Sequence, residues 1–314
     1  MAPRCSHTLF QYTPAVMEAD EVATTLWTDE YLFETTVHGI IRCGDEKYAS
    51  DIDWKPKFRL AYMPMRNRGE ILRLILEESG CNYELEVIGF KPWAREKEGI
   101  KATTPQGKLP VLRDFDGHGN DLGQEATITR FLAEKLDLAG RTIEERAIVD
   151  MLYTFWFSTL RNQGISHDGE HFSIAALREC NVRQIQLVNY EESFRINNLT
   201  RAERSLMALT YFESYLEKTS TGFLVGRSLT YVDLGLFYIL FELAEEDNIP
   251  DFATRFNLPQ LGSFLQHMQE RPRIKDYLQS PRRMPRYARD NSGMSLYTYV
   301  PGRFSPIIQH KFSS

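Results

Sequence analysis

The sequence predicts a small α/β domain followed by an all-helical domain. Three observations carry this reading. Between residue 57 and about residue 138, short apolar strands alternate with helical patterns in the order β-α-β-(α)-β-β-α. From Ile143 onward helical periodicity dominates. A capping signature at Thr230 and Asp233 then opens a strongly apolar helix.

At 314 residues the chain is long for one domain and fits two. Its 42% hydrophobic content supports packed cores. A net charge of −6 argues against a nucleic-acid binder. No apolar run approaches the roughly 20 residues that a membrane span needs. Cys5, Cys43, Cys81 and Cys180 show neither a CxxC nor a paired spacing, which points to a reducing compartment.

Residues 1–56 read as an extension, with ten acids, four bases and no sustained period, either a partly disordered arm or one that packs on its own chain or on a partner. Phe58, Leu60 and Tyr62 then mark a strand that breaks at Pro64. A helix starts near Arg68, with Ile71, Leu72, Leu74, Ile75 and Leu76 as its apolar residues. Such a turn sets strand-end side chains beside free N–H groups at a helix start, a place suited to an anion. Tyr62 lies there, with Arg66 and Arg68 close behind.

Tyr83 to Ile88 alternates as a second strand. Pro110 opens a third, where a cis bond fits. Asp116-Gly117 and Gly119-Asn120 mark a hairpin turn. Gln124 to Leu136 reads as a helix, and 138–142 as a linker. Ile143 to Leu160 and Arg201 to Leu216 are long helices, and Leu258 to Leu278 holds further helices punctuated by Pro259 and Pro272. Thr230 and Asp233 have the spacing of a reciprocal N-cap for a helix over Tyr231 to Leu243, expected to be the core of the second domain. His167 and His171 are four apart, but Gly169 lies between them and no third ligand is near, so a solvated loop and no metal are expected. The tail from Pro281 carries six bases and one acid, opposite in sign to the extension; either the two meet, in one chain or across a dimer, or the tail contacts a membrane or an acidic partner. The implied boundaries are 1–56, 57–138, 142–282 and 283–314.

The run from Tyr62 through Lys108-Leu109-Pro110 and Gln124, then the helical half with its Thr230/Asp233 cap, resembles cytosolic glutathione transferases. The nearest look is to the tyrosine-type classes such as sigma and alpha. YMPMRNRGE is similar to the family's Tyr-x-x-Met-Arg-Gly-Arg-x-Glu start, and ERAIVDML (Glu145 to Leu152) resembles the start of the first C-terminal helix. The resemblance covers roughly residues 57–282, leaving an extension at each end. It implies a thioredoxin-like domain followed by an all-helical domain. It also implies a homodimer, a cytoplasmic location, a role in detoxification and glutathione as co-substrate.

The resemblance gives residues roles. Tyr62 would donate its O–H to the glutathione sulfur, which reacts only as thiolate. Lowering a thiol pKa by about two units needs roughly 2.7 kcal/mol, which one charge-assisted hydrogen bond can largely supply. Arg68 would support the tyrosine electrostatically. Trp93 and Lys97, with Lys101 as the alternative base, would take the glycine carboxylate, and Lys108 the next contact. The Leu109 backbone, held by Pro110, would pair with the cysteinyl part as an added strand. Gln124 would serve the γ-glutamyl end, and Asp150 would reach across a dimer to the ligand's α-amino group. Tyr153, Phe155, Trp156 and Phe157 either line the hydrophobic electrophile pocket or, as an aromatic stripe at helical spacing, belong to the core.

Glu125 departs from the pattern, because the family usually has serine there to grip the ligand's α-carboxylate. Two like charges about 4 Å apart cost on the order of 1 to 4 kcal/mol, so Glu125 is expected to repel that carboxylate unless it turns away or is protonated. Glu125→Ser is then expected to tighten glutathione binding. Two functions follow. One is a transferase that adds the glutathione thiolate to a hydrophobic electrophile. The other is a non-catalytic binding or assembly module, favoured by Glu125, the extension, the polar segment 165–200 and the tail. A different thioredoxin-like oxidoreductase is disfavoured, since no cysteine occupies the turn after the first strand.

Overall fold

The computed structural model describes residues 15–16, 38–44, 55–94, 99–161, 172–180, 199–246, 248–280, 282–284, 287–289 and 297–299. Strand β3 (Phe58–Tyr62) runs parallel to β4 (Tyr83–Ile88), with Tyr62 opposite Val87. The helix between them, α1 (Asn67–Ser79), makes the β-α-β unit expected from the apolar spacing. Ile71, Leu72, Leu74, Ile75 and Leu76 are all buried. A short helix α2 (Phe90–Ala94) follows β4. β5 (Val111–Arg113) then pairs antiparallel with β3, and β6 (Leu122–Gly123) pairs antiparallel with β5. Helix α3 (Glu125–Lys135) packs beside α1, with Ile128 and Leu132 buried.

The extension contributes to this sheet, as an arm that packs on its own chain, although its lack of a sustained period marked no strand. Within it, β2 (His38–Cys43) pairs antiparallel with β4 along its whole length, and β1 (Ala15–Val16) pairs parallel with β2. The sheet order is β1-β2-β4-β3-β5-β6. His38 Nε2 lies 3.0 Å from Glu86 Oε1, which tethers β2 to β4 by side chains as well.

The second half is helical among the described residues. It comprises α4 (Ile143–Thr159), α5 (Ile174–Glu179), α6 (Arg201–Thr219), α7 (Tyr231–Leu243), α8 (Phe252–Arg255), α9 (Pro259–Gln269) and α10 (Pro272–Gln279). Every residue of α7 is buried, as an all-round apolar helix requires. Its reciprocal cap forms. The Thr230 N–H and hydroxyl both donate to Asp233 Oδ2, at 2.8 and 2.7 Å, and the Leu224 N–H donates to Oδ1 at 2.8 Å. Gly235 lets α7 lie close to both neighbours: a Cβ there would sit 3.2 Å from the Trp156 ring and 3.3 Å from Ile71 Cδ1. His167 and His171 lie outside the described residues.

Beyond α10 the start of the tail comes near the extension, where Arg282 acts on the buried Cys43 thiol of β2. Its first residues also bind acids of α1. Arg282 donates to both carboxylate oxygens of Glu77, at 2.8 and 2.9 Å, and Arg283 donates to Glu70 at 3.3 Å. Two short strands, β7 (Tyr287–Arg289) and β8 (Tyr297–Tyr299), pair antiparallel with each other.

The seam between the halves is therefore ionic as well as apolar. Arg73 is fully buried and donates to Glu70 Oε2 at 3.0 Å through Nε and at 2.7 Å through Nη2. The Tyr277 hydroxyl donates to the same oxygen at 3.0 Å. Arg66 donates to Glu245 at 2.7 Å. Burial raises the Glu70 pKa, but Arg73, Arg283 and Arg66 outweigh it and hold the carboxyl below its usual range. A carboxyl depressed on folding adds stability at neutral pH and loses it as pH falls through the folded-state value. Glu70→Gln is therefore expected to cost about 3 kcal/mol near neutral pH, since it leaves buried cations unpaired. The gap to wild type should close in acid, as urea unfolding at neutral and acid pH will read.

Candidate active site

The candidate site begins where β3 ends. The Tyr62 side chain turns back over the first turn of α1, and its hydroxyl oxygen accepts the backbone N–H of Arg68 at 3.2 Å. Gly69 makes room for the ring, because a Cβ there would lie 2.4 Å from Tyr62 Cδ1. Tyr62 is only 3% exposed. Burial pushes its phenol up to about 12, against the pull of Arg161 and then of Arg68 and Arg73, while Glu125 adds to the rise. The phenol is thus neutral at ordinary pH, and a neutral phenol that accepts through a lone pair keeps its hydrogen for a second partner.

The largest correction concerns Glu125. Its carboxylate does not stand open to repel an incoming one. Arg161, just past the end of α4, donates from Nε to Oε1 and from Nη2 to Oε2, both at 2.9 Å. The same Nη2 donates to Asn67 Oδ1 at 3.1 Å. All three side chains are buried. Bidentate pairing of this kind neutralises a carboxylate in place. Asn67 opens α1 with a φ of 40°, at the position where the family's motif carries glycine. Arg161 and Asn67 are site residues that motif spacing missed, because their partners lie 36 and 94 residues apart in sequence.

The other expected residues divide. The Leu109–Pro110 bond is cis, and Lys108 is exposed and extended just before it. Gln124, with a φ of 71°, is exposed and donates to the Gln106 side chain. Trp93 is buried in a small cluster with Ala61, Ile88 and Val111, so its ring belongs to the core of the sheet's flank. Lys97 lies outside the described residues, and its alternative Lys101 is exposed.

Asp150 is half-exposed, and within its own chain it pairs with Arg130 Nε at 2.6 Å and with the Tyr231 hydroxyl at 3.0 Å. These three residues line a cavity of about 340 Å³ with Ile143 and Arg146 on the outer side of α4. Tyr153 and Trp156 are fully buried and stack at 5.3 Å, so they are core residues and not pocket lining. Phe155 and Phe157 are half-buried, and Phe155 packs 4.5 Å from the Tyr211 ring. Among the described residues no group of His, Cys, Asp and Glu side chains is placed to hold a metal ion.

Comparison with known proteins fits this geometry. The family model for the glutathione S-transferase C-terminal domain matches residues 185–281. Glutathione S-transferase 1 of Ascaris suum is 30% identical over 71% of this chain and 96% of its own length. The chain belongs to the glutathione S-transferase family. Human glutathione S-transferase P is 28% identical over 72% of this chain and 93% of its own. The crystal structure of the glutathione S-transferase from Ascaris lumbricoides is 28% identical, with a TM-score of 0.51, over 71% of this chain and 96% of that one. The architecture is accordingly a thioredoxin-like domain followed by an all-helical glutathione S-transferase domain.

In this glutathione S-transferase the Glu125–Arg161 pair reverses the expectation for serine at residue 125. Glu125→Ser would leave the Arg161 guanidinium buried without its carboxylate. It is expected to lower stability by about 3 kcal/mol, a loss that denaturant unfolding will measure.

Proposed function

We propose that this chain binds glutathione along Lys108, Leu109, Pro110 and Gln124, and adds its thiolate to a hydrophobic electrophile. Tyr62 donates its O–H to the sulfur and is the catalytic residue. The observation that carries this reading is the neutral phenol of Tyr62, fixed at the head of α1 by the Arg68 N–H. Relatives named glutathione S-transferase, aligned over nearly their whole length, support the same activity. Of the features that favour a non-catalytic module, the surplus charge of Glu125 falls away because Arg161 pairs with it. Arg68 supports the tyrosine by charge, as a smaller contributor than Arg161. Lys101 and Lys97 remain the proposed bases for the glycine carboxylate, and Phe155 and Phe157 the proposed walls for the electrophile. The α/β domain over 57–138 serves glutathione and the helical domain over 142–282 the electrophile.

The energetic demand is modest. Two units of thiol acidity correspond to about 2.7 kcal/mol, within reach of one hydrogen bond to an anion in a dry site. Because the phenol titrates only near 12, the rate should rise with the ionisation of the bound thiol and not with that of Tyr62. Tyr62→Phe is expected to lower kcat/KM about 100-fold at neutral pH and to move the inflection up about two pH units. Calorimetry should find glutathione affinity nearly unchanged. Full activity in the variant, or no glutathione binding by the wild type at millimolar ligand, would overturn this assignment.

We also propose a cytoplasmic homodimer with a role in detoxification. No helix among the described residues is long and apolar enough to cross a membrane. Ile143 is 78% exposed and Met151 51%, both on α4 and flanking the Arg130–Asp150 pair. Both are proposed as contact residues of the dimer on their exposure alone. Ile143→Asp combined with Met151→Asp should give a monomer in sedimentation velocity, where the wild type sediments as a dimer.

A further inference from the structure

The tie between Arg161, Glu125 and Asn67 occupies the space where the first turns of α1 and α3 meet. Glu125 is the first residue of α3, Asn67 is the first residue of α1, and Arg161 follows the end of α4. Arg161 therefore brings a charge from the helical domain to the head of the thioredoxin-like domain. Its contact with Asn67 lies one residue from Arg68, whose N–H holds the Tyr62 oxygen. The two charges of the pair are 2.9 Å apart and both are buried, so water screens neither of them strongly.

We infer that the buried Arg161–Glu125 pair tunes the proton affinity of the Tyr62 hydroxyl and of the thiol bound to it, Arg161 favouring the anion and Glu125 opposing it. This rests on the role proposed above for Tyr62. Both members are positioning residues, since they act through Tyr62 and the Asn67–Arg68 turn. The charged groups that act most strongly on the phenol are Arg161 from the end of α4, Glu125 from α3, and Arg68 and Arg73 from α1. Among these, Arg161 is the largest influence toward the anion and Glu125 opposes it. A close pair of opposite charges largely cancels at a third site, and removing one member exposes the field of the other.

That cancellation gives two single variants of opposite sign. Glu125→Gln keeps the shape and an acceptor for Arg161, and unmasks the cation. The thiol pKa of bound glutathione, read from thiolate absorbance at saturating ligand, should fall by about one unit. Arg161→Gln unmasks the carboxylate, and the same pKa should rise by about one unit. Arg161→Lys keeps the charge and should restore a value near wild type. A merely structural pair would lower stability in both variants without opposed shifts. Shifts in the same direction, or none, overturn the inference.

Tyr62→Phe in the same series separates the two ideas. If that variant leaves the thiol pKa unchanged, the role of Tyr62 fails and this inference fails with it. If Tyr62→Phe moves the thiol pKa and the pair variants do not, only this inference fails. A ligand-free readout guards against weak glutathione binding. A trifluorotyrosine placed at residue 62 can be titrated by fluorine NMR in each background. Opposed shifts of its titration in Glu125→Gln and Arg161→Gln support the coupling, and coincident curves overturn it.

Discussion

A carboxylate taken out of water stays charged only if a cation is held against it, and this constraint shapes the junction of the two domains. Glu70 meets Arg73 and Arg283, Glu77 meets Arg282, Glu125 meets Arg161, and Glu245 meets Arg66. In several of these contacts the acid and the base come from different halves of the chain. Pulling the halves apart would strand charges on both sides. The apolar contacts of Gly235 and Trp156 then lie between fixed ionic points. The turn carrying Tyr62 sits among these pairs, so its geometry is set by both domains.

The same constraint bears on the chemistry proposed for the head of α1. A phenol is a strong donor to an anion only where water is scarce, yet a dry site raises the cost of the anion itself. In its proposed role Tyr62 would meet the first demand by burial against the backbone of Gly69. Cations from two directions would meet the second, Arg68 and Arg73 on its own helix and Arg161 from the other domain. Glu125 would restrain that field. A serine there would leave Arg161 without its counter-charge.

Local signals in the sequence were easily legible. The Thr230/Asp233 cap depends on contacts three residues apart, and it forms as the spacing requires. The break at Pro64 and the apolar spacing of Ile71 to Leu76 placed α1 closely. Long-range pairing was not legible. A glutamate at residue 125 looks like a lone surplus charge until the chain folds back and sets Arg161 on it. Asp150 matched a motif, but its neighbours Arg130 and Tyr231 arrive from two other helices. Tyr153 and Trp156 share a stripe with Phe157, and spacing cannot tell which residues of a stripe meet solvent. The strand at His38–Cys43 sets the buried Ile40 and Ile41 side by side, so its sequence shows no alternation.

That strand has a consequence for how the molecule meets others of its kind. An unpaired sheet margin offers a row of amide and carbonyl groups to any extended peptide, and invites uncontrolled stacking of sheets edge to edge. Here the margin of β4 is already taken by a segment of the same polypeptide, running from His38 opposite Ile88 to Cys43 opposite Tyr83. The chain carries its own occupant for that row, so strand addition by a foreign peptide would first have to displace it.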